Sequence, residues 1–571
     1  MNPVLARPAG LLSLFALGVL VAACSSRHPE TAAVAEPAPA VERAAADAAY
    51  RQRTEPQQRH SREAVAGAAA AAPVAKLMMA PPPSHGADLV RLPAADRETY
   101  QALDSNPVKL AAREPVSTFS LDVDTGSYSN VRRFLNQGRL PPRDAVRVEE
   151  LLNYFAFSYP APDGRHPFAV STELAASPWH PDRLLLRIGV KAVDVKAAAM
   201  PPANLVFLVD VSGSMYEQDK LPLVKATLLQ LVNELRAEDR VSLVVYAGRS
   251  AVELAPTSGA EKDKIRAAIA RLEAGGSTAG EAAIRLAYQQ ARAAFIPGGI
   301  NRILLATDGD FNVGVSDIRQ LKDMVARERE SGVTLTTLGF GQGNYQEALM
   351  EQIANIGNGN YSYIDSLAEG RKVLVDELAA TFNTVAQDVK LQLEFNPAQV
   401  REWRLVGYEN RVLREEDFRN DKVDAGDVGA GKSVTALYEI TPVGKPGLHA
   451  ERRYEKTPAD VGRGSELGFL RLRYKQPGAD KAVEFDRIIT PRELALKTSD
   501  DFRFAAAVAG FGQLLRGGEY LQGFGYAEVK QLAEGARGPD AGGHRQAFVK
   551  LVEIAAGLTP AQPVAREQAA R

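Results

Sequence analysis

Leu205-Val206-Phe207-Leu208-Val209-Asp210-Val211-Ser212-Gly213-Ser214-Met215 is an apolar run that stops at a carboxylate, with two hydroxyls following at alternate positions. Five large apolar residues in a row have the length and bulk of a buried strand. Asp210, Ser212 and Ser214 then fall on the turning loop past its carboxyl end, where their oxygens can converge. A hard divalent cation prefers such oxygen donors, and magnesium takes them in near-octahedral geometry at about 2.0–2.1 Å. Two later stretches offer matching groups. Gly275-Gly276-Ser277-Thr278-Ala279-Gly280 carries hydroxyls on a glycine-rich turn, and Asn301-Arg302-Ile303-Leu304-Leu305-Ala306-Thr307-Asp308 ends a second apolar run on a carboxylate.

The segments between these loops alternate in period. Leu221, Val224, Leu228, Leu231 and Leu235 recur at helical spacing, and Arg240 to Tyr246 reads as the next strand. Ile265, Ile269 and Leu272 mark one short helix; Ile284, Ala287 and Ala291 mark another before the Arg302 to Ala306 strand. The alternation continues through Leu321 to Val325, Val333 to Phe340, Ala348 to Ile356 and Tyr361 to Ile364, and a closing helix is expected over Ala368 to Val385. Strands alternating with helices give a mostly parallel sheet covered on both faces, with ligands bound outside the carboxyl ends of the strands. The three loops fall at that edge.

The ordered set D-x-S-x-S, then Thr, then Asp resembles the metal-ion-dependent adhesion site of von Willebrand factor type A domains. The resemblance implies an α/β, Rossmann-like doubly wound fold and a metal site made of Asp210, Ser212, Ser214, Thr278 and Asp308. In that family the three hydroxyls contact the ion, Mg2+ or in its place Mn2+ or Ca2+, and the two Asp side chains often act through water. Neutral donors leave the cation electrophilic, so a partner protein presenting a Glu or Asp is the natural completing ligand. The expected function is metal-dependent protein–protein interaction or adhesion, not enzymatic catalysis. Two alternatives stand beside it: a metal-dependent phosphoryl-transfer enzyme using Asp122 and Asp124, and a structural envelope scaffold whose metal only stiffens the loops.

Composition sets the frame. The 571 residues allow about three folded units, and the net charge of −2 suggests neither nucleic acid nor a broad anionic surface. The one cysteine, Cys24, excludes intramolecular disulfides, Cys-ligated zinc and a cysteine nucleophile in the folded part. Arg7, the apolar stretch Leu11 to Leu20 and then Val21-Ala22-Ala23-Cys24 resemble the signal and lipobox of bacterial lipoproteins, which implies acylation of Cys24 and anchoring in the cell envelope. Ser25 after the cysteine favours the outer membrane by analogy with that group. Residues 1–23 are thus expected to be a signal peptide, and 24–95, rich in Ala and Pro, a disordered tether.

Residues 96–200 resemble the region ahead of the type A domain in one group of bacterial lipoproteins. The stretches that carry this are Glu114 to Tyr128, Asn136 to Pro142 and Val148 to Phe155. The type A domain is expected over 201–386 and a C-terminal domain over 387–571. That last domain reads as strands (Val389 to Phe395, Trp403 to Tyr408, Val434 to Ile440, Gly468 to Tyr474, Ala482 to Ile489) and then as helix, with Phe504, Val508, Phe511 and Leu515 at helical spacing. Strands Phe168 to Leu174 and Leu184 to Val190 are expected to join its sheet and clamp both ends of the type A domain.

Three local patterns imitate enzymes. Asp124-Thr125-Gly126-Ser127 looks like an aspartic-protease turn but has no second copy, and Asp122-Val123-Asp124 looks like the opening of a haloacid-dehalogenase phosphatase without its later partners. Gly426-Asp427-Val428-Gly429-Ala430-Gly431-Lys432-Ser433 satisfies G-x-x-x-x-G-K-S. A phosphate loop must open a helix, whereas Val434 to Ile440 alternates as a strand. The reading is an exposed glycine-rich hairpin turn that binds no nucleotide.

Overall fold

The computed structural model describes residues 97–121, 123–276, 280–309, 318–450, 465–540 and 542–560. Cys24, Asp122 and Thr278 lie outside the described residues, as do the segments expected to be signal and tether.

At the centre lies a six-stranded sheet in the order Tyr361–Ile364, Thr334–Phe340, Ile300–Thr307, Ala203–Asp210, Arg240–Ala247, Arg249–Ser258. All pairs are parallel except the last. The apolar run at 205–209 shows why: Leu205, Phe207 and Val209 pack into the core on one face of the sheet, and Val206 and Leu208 into the core on the other. A strand covered on both faces needs no polar alternation. Helices Leu221–Glu234 and Lys262–Ala270 cover the first face; Gly280–Ala293, Ile318–Arg329 and Glu347–Ile356 cover the second. This is the α/β, doubly wound architecture expected from the sequence.

Two details differ from expectation. The antiparallel edge strand Arg249–Ser258 was not foreseen; it carries Glu253 and Pro256, is largely exposed, and shows the charge and proline that edge strands tolerate. The closing helix is broken. A helical turn at Leu367–Arg371 passes through a π-helical turn, Lys372–Asp376, into a second short helix, Leu378–Phe382, and a strand already begins at Thr384. Thr381 Oγ1 donates to the Val373 carbonyl across the break at 2.9 Å.

The flanking segments build two further sheets together. One has the order Lys109–Leu110, Val400–Val406, Ser433–Pro442, His180–Ala192, Phe168–Ser177; the other has Val412–Leu413, Val116–Ser120, Thr384–Phe395, Gly468–Lys475, Ala482–Ile489. Each mixes strands from before and after the type A segment, as expected for Phe168–Ser177 and His180–Ala192. Ile188, Tyr438 and Ile440 from the first sheet and Phe119, Leu391 and Leu393 from the second share one core, so the sheets form a sandwich. Helices Asp500–Leu515, Tyr526–Glu534 and His544–Leu558 pack with Gly126–Asn136 and Val148–Asn153 around Phe155, Phe504, Phe511 and Phe548.

The G-x-x-x-x-G-K-S stretch needs correction. Gly426–Gly429 is a strand against Thr384–Phe395, and Ser433 opens a strand of the other sheet, so the stretch is a crossover between sheets and not a hairpin turn. Nor is Lys432 exposed: its side chain keeps 13% accessibility and its ammonium meets Glu377 Oε2 at 2.5 Å. The β continuation after it leaves no helix N-terminus for a phosphate.

Candidate metal centre

Asp210 and Asp308 end two adjacent parallel strands, so the sheet itself brings them to one edge. The chain leaves the Ala203–Asp210 strand to one side for Arg240–Ala247 and later returns on its other side as Ile300–Thr307, which makes this the point where strand order reverses. Loops diverge there and leave a crevice at the strand ends. Both carboxylates are fully buried, Ser212 is 2% exposed and Ser214 is half-buried.

Each carboxylate is held by the chain. The backbone N–H of Ser212 donates to Asp210 Oδ1 at 2.9 Å, and the Thr307 hydroxyl donates to Asp210 Oδ2 at 2.9 Å. Thr307 Oγ1 in turn accepts from the Gly309 N–H at 3.1 Å. Gly309 has a φ of +89°, and a Cβ there would fall 2.6 Å from the Gln346 nitrogen, so only glycine lets the loop turn here. Asp308 Oδ2 accepts from Lys220 Nζ at 2.9 Å and from Asn344 Nδ2 at 3.1 Å. The glycine-rich loop docks by backbone: the Gly275 N–H donates to the Val211 carbonyl at 2.7 Å, and the Gly213 N–H donates to the Gly276 carbonyl at 3.0 Å. The approach of Gly276 brings that loop to the edge of the site.

Burial pushes the Asp210 carboxyl up to about 6, and the charge of Asp308 adds to it against the hydrogen bonds from Ser212 and Thr307. The same burial, with the charge of Asp210, raises the Tyr246 hydroxyl well above its ordinary value. A buried carboxylate whose charge a second one disfavours is what a cation relieves. The Ser212 and Ser214 hydroxyl oxygens stand 3.0 Å apart, about the edge of an octahedron with metal–oxygen distances near 2.1 Å. All donors are oxygens, so the residues present fit a hard divalent ion. Ser212 and Ser214 would hold it directly, with Asp210 and Asp308, already engaged by the chain, behind them.

Sequence reasoning missed Thr307, Lys220, Asn344 and Tyr246. Thr307 was readable as the last polar residue before Asp308. Asn344 follows the glycine turn Gly339-Phe340-Gly341-Gln342-Gly343, and nothing in that pattern marks it as a site residue.

A second carboxylate group lies elsewhere. Glu150, Glu347 and Glu351 bring oxygens within 4.8 Å of one another, all buried. Arg147 reaches Glu347 at 3.5 Å, and Arg411 reaches Glu351 at 2.9 Å and Asp124 at 3.2 Å. The Ser127 N–H donates to Glu150 at 2.7 Å and Asn410 to Glu351 at 2.8 Å. Asp124 also accepts from the Tyr361 N–H at 2.9 Å. The Asp124 turn is therefore part of an ionic clamp joining the flanking segments to the type A sheet.

Comparison with known proteins agrees with this layout. Residues 204–375 match the family model described as von Willebrand factor type A domain, residues 94–187 the one described as von Willebrand factor, and residues 380–558 the one for the C-terminal region of the uncharacterized protein YfbK. YfbK of Escherichia coli is 51% identical over 469 residues, 81% of each chain. Human inter-alpha-trypsin inhibitor heavy chain H4 is 32% identical over 162 residues, 27% of this chain and 17% of that one. Among solved structures, a von Willebrand factor type A protein from Catenulispora acidiphila aligns over 70% of this chain and 92% of its own with 17% identity and a TM-score of 0.41. With its type A segment framed by both flanking regions, the chain belongs to the YfbK family of von Willebrand factor type A domain proteins.

Proposed function

We propose that this is a lipid-anchored protein of the cell envelope whose type A domain binds a divalent cation and, through it, an acidic side chain of a partner protein. Membership of the type A family supports interaction or adhesion as the role, and a binding module that performs no catalysis. The observation that carries the metal reading is the pair of hydroxyls 3.0 Å apart beside two buried carboxylates at the strand-order reversal. Tyr216, 77% exposed one residue beyond Met215, offers a partner an aromatic anchor next to the ion. Anchoring through Cys24, and an outer-membrane location, rest on the lipobox resemblance and Ser25. No described helix is long and apolar enough to cross a membrane.

Calorimetric titration of the purified protein with magnesium tests the site. Asp210→Asn together with Asp308→Asn should abolish binding, and an unchanged affinity in that variant would sink the assignment. Capture of envelope proteins with and without chelator separates a metal-dependent binder from a scaffold. Cys24→Ala should abolish lipid labelling and membrane retention.

A further inference from the structure

The strongest unexplained group at this edge is a cation. Lys220 precedes helix Leu221–Glu234, and its side chain keeps only 7% exposure. Its root is fixed, since its N–H donates to the Glu217 carbonyl at 3.1 Å and its carbonyl accepts from the Val224 N–H at 2.9 Å. Its stem is sleeved by the turn after strand Thr334–Phe340. At Gly341, whose φ is +72°, a Cβ would lie 2.4 Å from both Cγ and Cε of the lysine. Its tip donates to Asp308 Oδ2 at 2.9 Å and to Asn344 Oδ1 at 3.1 Å, while Asn344 donates to the same Asp308 oxygen. Three elements thus converge to hold one ammonium against one carboxylate of the site.

A tether for Asp308 needs no charge; Asn344 already supplies a neutral one. What the ammonium adds is a positive charge in a place where water screens it little. Asp210 and Asp308 alone would neutralise a dication. With Lys220 in contact the loaded group carries one net positive charge, which opposes the entry of the metal and favours the arrival of an anion.

We propose that Lys220 is a specificity-determining residue of the metal centre: it weakens bare cation binding and, by leaving the loaded site positive, selects a carboxylate as the completing ligand. This rests on the metal reading of the previous section. The net charge of the site, and not the position of Asp308, is what the lysine sets.

The test uses the full-length protein, Mn2+ as the probe metal and acetate as the probe carboxylate. Water-proton relaxation reports both metal binding and the loss of metal-bound water when acetate enters. Lys220→Met removes charge and hydrogen bond; Lys220→Gln removes the charge and keeps a donor. Both variants should bind Mn2+ about tenfold more tightly than wild type and require several-fold more acetate for the same loss of relaxation. Asn344→Asp sets a carboxylate against the ammonium and should shift both readings the same way without touching the lysine, which keeps the test valid where the Lys220 variants fold poorly. Equal or weaker Mn2+ binding in the folded variants overturns the proposal. So does a wild-type response from Lys220→Gln beside a changed Lys220→Met, because that pattern means the hydrogen bond is what matters. A wild-type protein that binds no Mn2+ overturns the metal reading itself, whereas intact wild-type binding with unchanged variants removes only the role of Lys220.

Discussion

Asp210 shows how a buried carboxylate at a strand end can oppose folding. Its carboxyl titrates near 6 in the folded chain, above the ordinary value of 3.8, so the folded state holds on to a proton that the unfolded state releases. For a group shifted upward, the associated stability is fully present at low pH and lost as pH rises through the folded value. The metal-free protein should therefore lose stability between about pH 4 and pH 6, on the order of 2–3 kcal/mol from this residue. Asp210→Asn should remove that loss, so that at pH 8 in chelator its urea midpoint lies above that of the wild type. Magnesium should stabilise the wild type and not the variant. A wild-type midpoint unchanged from pH 5 to pH 8, with Asp210→Asn no more stable, would show that Asp210 carries no such strain. The identity of this residue was legible in the sequence because a carboxylate follows an unbroken apolar run. Its partner was not: Thr307 ends another strand, and only the sheet brings its hydroxyl to Asp210.

At the scale of elements, periodicity located the buried strands and the helices of the central sheet, because each presents a continuous apolar face to a core. It failed where tertiary contacts decide the backbone. The helix expected through Val385 breaks at Lys372–Asp376, where Glu377 meets Lys372 at 2.5 Å and Lys432 at 2.5 Å. Burial would push the Glu377 carboxyl up, but the two ammonium groups outweigh it and hold the group well below the ordinary carboxylate range. Lys432 thus ties the crossover between the sandwich sheets to the end of the type A segment, a role that no local pattern around Gly431 reveals. Lys432→Ala should cost about 1–2 kcal/mol, reduced from a fully buried pair by the 29% exposure of Glu377 and by the remaining Lys372. For a carboxyl shifted downward the stabilisation is present above the unfolded value and is lost as pH falls through the folded value, which here lies well below the ordinary range, so the cost should hold from pH 7 to pH 4. Denaturant melts of Lys432→Ala and Lys432→Met check it. A Lys432→Met variant as stable as the wild type would assign the effect to packing of the lysine stem.

For the whole molecule, the sequence divides at 200 and 386, yet the flanking regions share two sheets and a helical layer. The alternating strands at 168–174 and 184–190 predict part of this sharing but not the second sheet, since strand pairing leaves no mark on either partner alone. A fragment of residues 96–200 should not fold, because His180–Ala192 loses Ser433–Pro442 over residues 184–191 and Val116–Ser120 loses Thr384–Phe395. Circular dichroism and amide exchange of the fragment measure this, and a cooperative melt in the fragment would refute it. The sandwich also has a consequence for synthesis. Gln392 reaches the hydroxyl of Thr118, 274 positions earlier, so the first strands emerge from the ribosome long before their partners exist. Until then they are unpaired edges, the surfaces most prone to stick to other chains. The type A segment is what lies between. Its two ends are linked through the same turn, where the Gly431 N–H donates to the Val193 carbonyl and the Ala430 N–H to the Asn383 carbonyl, both at 2.8 Å, so once it folds it replaces a long flexible closure by a short one. The domain that carries the candidate metal centre would thus also serve as the scaffold on which the nascent chain closes, and damage to its core would first be felt as a failure of the sandwich to assemble.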